Sequence, residues 1–116
     1  MIIVLDTSAA IEIILKKDKA NIFNKVIEKA KWIIAPDIFV SEITNVLWKY
    51  YKAKIISHEE CMQFVKDGLY LIDDFIEAKD LWKESLGEAI KNNYSAYGMF
   101  YAVLSRRNDA KILTKE

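Results

Sequence analysis

The chain is poor in the residues that punctuate, cross-link and ligate. Its 116 residues include three Gly, one Pro, one Cys and one His. Four Gly plus Pro is about a third of ordinary usage, so turns are few and short, which disfavours multi-turn β-sandwiches and barrels. Gly68, Gly87 and Gly98 are spaced for neither a Walker loop nor a dinucleotide-binding loop, and both phosphate cradles are excluded. Cys61 has no partner for an internal disulfide. With His58 as the sole histidine, no Cys/His zinc site can be assembled within the chain. Ser-His-Asp and Cys-His catalysis would each rest on His58 alone. No apolar run is long enough to span a bilayer, and the apolar start at residues 1–5 meets Asp6 without a basic leader. The expectation is a cytoplasmic protein without a targeting segment or membrane contact.

What is present suits one core. At 53% hydrophobic and 12% aromatic, residues 1–116 are expected to form a single domain. Seventeen acidic side chains balance seventeen basic ones, which argues against indiscriminate binding to nucleic acid but not against local patches. Any metal would have to be held by carboxylates, and these favour Mg²⁺ or Mn²⁺.

Periodicity then orders the chain. Ile2-Ile3-Val4-Leu5 and Trp32-Ile33-Ile34-Ala35 read as strands buried on both faces of a parallel sheet, the second closed by Pro36. Between them, Thr7-Ser8 caps a helix over residues 9–17, and a second amphipathic helix covers residues 22–30. Asp37 caps a longer helix with the stripe Phe39, Ile43, Val46, Leu47 and Tyr50. Ser57-His58-Glu59-Glu60 matches a capping box and opens a helix to about Leu69, with His58 exposed in its first turn and Cys61 inward. Tyr70-Leu71-Ile72 is read as a third strand. Residues 73–88, with six carboxylates against two lysines, are read as one outer helix. Ser95 caps the last helix, ending at Arg106-Arg107, and residues 111–114 close the sheet. Strands alternating with helices through short connections imply a three-layer α/β domain whose mostly parallel central sheet is flanked by helices.

Ligands bind open parallel sheets outside the carboxyl ends of the strands, where strand order reverses. Asp6 follows the first strand, Glu116 follows the last, and Glu42 projects from an early turn of a helix. A metal site is the natural reading of acids gathered at that rim. Plain turn and terminal roles for Asp6 and Glu116 stay open on this ground alone. Lys49, Lys52 and Lys54 interleave with Trp48, Tyr50 and Tyr51, a mix that suits RNA backbone contact with base stacking and equally a solvated helix end. Arg106, Arg107, Lys111 and Lys115 form a second basic cluster, which also suits the dipole of a helix C-terminus.

Four ordered blocks covering nearly the whole chain resemble the PIN-domain family. They are Ile3-Val4-Leu5-Asp6-Thr7-Ser8, Ala35-Pro36-Asp37 leading to Ser41-Glu42-Ile43-Thr44-Asn45-Val46-Leu47-Trp48, Ser95-Ala96-Tyr97-Gly98-Met99-Phe100-Tyr101, and Ile112-Leu113-Thr114-Lys115-Glu116. The family's most populous branch comprises the VapC-type toxins of toxin–antitoxin pairs, which are small cytoplasmic ribonucleases, usually dimeric and inhibited by a partner protein. The resemblance therefore implies a PIN-like fold, cleavage of single-stranded or structured RNA, a cognate antitoxin and a homodimer. It implies Mg²⁺ or Mn²⁺ held by Asp6, Glu42 and Glu116. Thr7, Ser8 and Thr114 would serve as supporting hydroxyls, with Asn45 as a polar residue one turn after the glutamate. It also exposes a departure, because the family carries Asp where this chain has Gly98. The implied consequence is a nuclease of reduced or lost activity, or an inactive PIN-like module that binds RNA or an antitoxin. Close backbone packing is the ordinary explanation for such a helical glycine. The family also continues beyond this last block with another helix and strand, so an edge of the sheet is expected to be missing, uncovered or paired in a dimer.

Two other α/β classes fit less well. A phosphoacceptor receiver domain would want a second acidic residue adjoining Asp6, and a haloacid-dehalogenase-type phosphotransferase would want Asp where Ser8 stands.

Overall fold

The apolar β-branched runs become neighbouring strands at the centre of a sheet. The computed structural model describes residues 1–115, and its elements run β1 (Ile2–Leu5), α1 (Thr7–Ile14), α2 (Ala20–Lys29), β2 (Trp32–Pro36), α3 (Ile38–Lys52), α4 (His58–Tyr70), β3 (Asp74–Ile76), α5 (Trp82–Asn92), α6 (Ala96–Arg107) and β4 (Lys111–Leu113). The strands lie in the order β3-β2-β1-β4, all parallel. The pleat sends successive side chains to opposite faces. Leu5, Ile33 and Ala35 pack with Ala9, Phe23, Phe39, Ile43 and Leu47 from α1, α2 and α3. Val4 and Ile34 pack on the other face with Leu81 and with Tyr101, Val103 and Leu104 of α6. The result is a three-layer α/β/α fold with two apolar cores separated by the sheet. Among the described residues, no helix is long and apolar enough to cross a membrane.

The third strand differs from the sequence expectation. Tyr70 ends α4, and β3 lies at Asp74–Ile76, inside the acidic stretch read as one helix. The sheet edge supplies partners that local pattern does not show. Asp73 N–H donates to the Ile33 carbonyl at 2.8 Å while its carboxylate accepts Ile33 N–H at 2.8 Å, and Trp32 Nε1 donates to Asp74 at 2.6 Å. A single 3-10 turn at Ala78–Asp80 follows, and α5 starts only at Trp82.

The capping box at Ser57 forms in full, with Glu60 N–H donating to Ser57 Oγ at 3.1 Å and Ser57 N–H to the Glu60 carboxylate at 2.9 Å. Asp37 and Ser95 sit at N-cap positions without capping through their side chains. The Asp37 carboxylate accepts the N–H of Ala78 at 3.0 Å instead. α1 begins at Thr7 with Asp6 at its N-cap. Thr7 and Ser8 thus lie inside the helix, where their hydroxyls serve the carboxylates described next.

Candidate functional site

Strand order reverses between β1 and β4, because the chain leaves β1 toward β2 and returns to its other side only at the end. The crevice beyond the carboxyl ends of these two strands is where such sheets bind ligands. A cleft of about 940 Å³ opens there, lined among others by Asp6, Thr7, Ser8, Glu42, Asn45, Gly98, Tyr101 and Thr114. Asp6 is fixed through its backbone, its N–H donating to Leu113 of β4 at 3.0 Å and its carbonyl accepting from Ala10 of α1 at 3.1 Å.

Two hydroxyls hold one oxygen of each carboxylate. Thr114 Oγ1 and Ser8 Oγ donate to Asp6 Oδ2 at 2.7 and 3.2 Å. Ser8 Oγ also lies 3.1 Å from Thr114 Oγ1 and accepts Lys115 N–H at 3.0 Å. Tyr101 Oη and Thr7 Oγ1 donate to Glu42 Oε1 at 2.5 and 3.1 Å and lie 3.2 Å from one another. Among the described residues, Asp6 Oδ1 and Glu42 Oε2 accept no hydrogen bond. Hydroxyl donors on one oxygen fix the plane of a carboxylate and leave the other to a ligand in the cleft.

The electrostatics follow from burial. Half-buried Glu42 is held above its ordinary carboxyl range, chiefly by desolvation, with the nearby Asp6 charge adding to the rise and the Tyr101 and Thr7 donors opposing it. Burial first, and then Glu42, push the Tyr101 hydroxyl far above its ordinary value, so it stays a proton donor. The cleft also holds Glu12, only 2% exposed, whose carboxylate lies 3.6 Å from Lys115 Nζ. Lys17 donates to Tyr50 at 2.5 Å, and that bond raises its ammonium above the ordinary value.

Asp6 and Glu42 both line the cleft, with Thr7, Ser8 and Thr114 bonded to their carboxylates and Asn45 on the cleft wall one turn beyond Glu42. Glu116 lies outside the described residues. Among the described residues, no three His, Cys, Asp or Glu side chains group as a ligand set. Two carboxylates still fit a hard cation that keeps several waters, since Mg²⁺ sites are commonly built on one or two carboxylates plus substrate phosphates.

Gly98 does face this cleft. A Cβ there would approach only the Tyr94 ring, at 3.2 and 3.7 Å, and that ring is 63% exposed. Close backbone packing therefore does not demand the glycine. Of the two basic clusters, Lys115 lines the cleft and the other members fall elsewhere. Lys49 and Lys52 lie on the far end of α3, with Lys52 Nζ 5.0 Å from the centre of the Trp48 ring. Arg106 pairs with Glu84 and Glu88, and Arg107 with Glu84 and the Asp80 carbonyl. These four side chains are not among those lining the cleft.

Sequence reasoning missed Tyr101 and Glu12. Tyr101 stands one helical turn after Gly98, so it shares that residue's side of α6. Glu12 is the lone charge among Ile11, Ile13 and Ile14, a pattern that marks a buried acid in need of a partner.

The fold and site define a parallel α/β protein with a hydroxyl-braced acidic cleft at its topological switch point. Its fold is similar to the "Crystal structure of PAE2754 from Pyrobaculum aerophilum", with a TM-score of 0.76 and 17% sequence identity over 98% of this chain and 74% of that one. At that identity the likeness is one of fold. No family model matches the sequence, and no curated protein matches it.

Proposed function

We propose that the protein is a divalent-cation-dependent ribonuclease of the PIN type, the toxin of a toxin–antitoxin pair, with turnover reduced by Gly98. The observation that carries this reading is the convergence of Asp6 and Glu42 at the switch point, each braced on one oxygen and open on the other. Asp6 and Glu42 would hold Mg²⁺ or Mn²⁺. When bound, such an ion lowers the pKa of a water and neutralises phosphate charge for in-line attack. Thr114 and Ser8 keep Asp6 oriented, while Tyr101 and Thr7 do the same for Glu42. Glu116 is a further candidate ligand, and an antitoxin and a second copy of the chain are the proposed protein partners. Lys49, Lys52, Arg106 and Arg107 carry no weight here, because the two lysines lie beyond the cleft and the arginines are paired with α5 carboxylates.

Gly98 favours a second reading, a PIN-like module that binds RNA or an antitoxin without cutting. Cleavage of single-stranded RNA with Mn²⁺, by the native chain, Asp6→Ala and Gly98→Asp, separates the two. Weak native cleavage that Asp6→Ala abolishes and Gly98→Asp raises supports the nuclease. RNA binding without cleavage in either the native chain or Gly98→Asp supports the binding module. Absence of Mn²⁺ binding defeats the nuclease, and absence of RNA binding defeats the RNA-binding form of the second reading. Native cleavage equal to that of Gly98→Asp defeats the role given to Gly98.

A further inference from the structure

Glu12 is a buried acid that the proposed chemistry does not use. It stands in α1 among Ile11, Ile13 and Ile14, is 2% exposed, and lines the cleft together with Asp6 and Ser8. A carboxylate in such a place needs compensation. It accepts the N–H of Lys19 at 3.4 Å and lies 3.6 Å from the ammonium of Lys115, whose side chain is half exposed. An ion pair sunk this far is a poor source of stability, because desolvation offsets much of the attraction.

The position of Lys115 gives the pair another use. Glu12 and Ser8 are four residues apart on α1, so they share one face of the helix with roughly 5–6 Å between them. That face grips residue 115 at two points. Ser8 Oγ accepts the Lys115 N–H at 3.0 Å, and Glu12 takes the ammonium at the far end of the same residue. β4 ends at Leu113, so residues 114 and 115 have left the strand when they reach this face. Both hydroxyls on Asp6 depend on that short segment. Thr114 Oγ1 donates to Asp6 Oδ2 at 2.7 Å, and Ser8 Oγ, with one lone pair taken by the Lys115 N–H, turns its own proton to the same oxygen at 3.2 Å. We infer that Glu12 and Lys115 are positioning residues, a pair that sets the plane of the Asp6 carboxylate by pinning the segment that carries Thr114.

Charge alone predicts the opposite of positioning. Lys115 is a cation on the wall of an acidic cleft, so if it acted only through its field, deleting the ammonium would tighten the binding of a divalent cation. Loosening Asp6 weakens that binding instead. A purely structural pair would lower the melting temperature and leave the affinity of the folded chain unchanged.

The inference rests on the proposed function for its metal, and its test is Mn²⁺ affinity measured by calorimetry in the absence of RNA. Lys115→Met should raise the Mn²⁺ dissociation constant by about 10-fold, the lower end of what a metal site loses with an outer support. Lys115→Arg, which can still pair with Glu12, should bind as the native chain does. Glu12→Gln keeps the shape of the side chain and an oxygen for the Lys19 N–H, and it should weaken binding as much as Lys115→Met. The double variant should bind no more weakly than either single one, because both break the same hold. Melting each variant shows that the affinity read is that of a folded chain. Unchanged or tighter Mn²⁺ binding by Lys115→Met, failure of Lys115→Arg to rescue, or native affinity in the double variant overturns the inference and leaves the nuclease standing. A native chain that binds no Mn²⁺ overturns the nuclease, and the positioning role with it.

Discussion

The two walls of the cleft come from opposite layers of the fold and differ in how far their polar atoms are committed. On one wall, β1, α1 and α3 present Asp6 and Glu42, with each carboxylate bonded to two hydroxyls. On the other, the turn into α6 presents Asn93 in a left-handed conformation, two largely exposed tyrosine rings and the bare backbone of Gly98. Tyr101 joins the walls, since it stands on the same helix as Gly98 yet reaches across to Glu42. The difference shows where chemistry and stability separate. Residues on the braced wall serve both, whereas the open wall can change its chemical groups at little cost to the fold.

The most direct way to break the contrast is to put a carboxylate on the open wall. The Cβ of Gly98→Asp requires only that the Tyr94 ring shift by a few tenths of an ångström, and the substitution should raise Mn²⁺-dependent RNA cleavage by about 100-fold. Initial rates at saturating Mn²⁺ measure this, and an unchanged rate would show that the open wall does not limit turnover. Loosening the braced wall should act on stability instead. Tyr101→Phe leaves half-buried Glu42 with Thr7 as its only donor among the described residues, at a cost of roughly 1.5–3 kcal/mol by urea denaturation.

A smaller effect concerns pH. Because the folded carboxyl of Glu42 titrates above its ordinary value of 4.5, the folded chain holds that proton more tightly than the unfolded chain. The stability Glu42 contributes is full below that value and is lost as pH rises through the raised folded value. Glu42→Gln should remove this contribution, so that the native-minus-variant difference in melting temperature falls across that window. Smallest of all, Tyr94→Ala on the open wall should alter stability by no more than ~0.5 kcal/mol, checked by the same denaturation. A larger loss would mean that the open wall also holds up the fold.

Legibility in the sequence follows the same division. β1 and β2 are buried on both faces, and such strands announce themselves as unbroken β-branched runs. β3 does not, because an edge strand with exposed Asp74 and Phe75 has no continuous apolar signal, and its place is set by Ile33 and Trp32 in the neighbouring strand. Asp6 was readable from its position after a strand. From its local pattern Glu42 was readable only as an acid early in a helix, the resemblance alone giving it a role, and the fold ties it to Thr7, 35 residues away and next to Asp6. Tyr101 was hidden because its ring belongs to the core of α6 while its hydroxyl belongs to the site. A residue that serves two roles shows only the apolar one in a hydrophobic pattern.

The Asp6–Thr114 bond spans 108 residues, and the β1–β4 pairing beside it is equally long in range. Contacts so distant along the chain form late, because their loop-closure entropy is recovered only once the intervening layers have packed. During synthesis the amino-terminal elements can pack first, as β1, α1 and β2 are already available to one another. Asp6 therefore waits for its last brace until residue 114 has emerged. The order of assembly thus leaves the acidic cleft unfinished until residues 111–114 have paired beside β1.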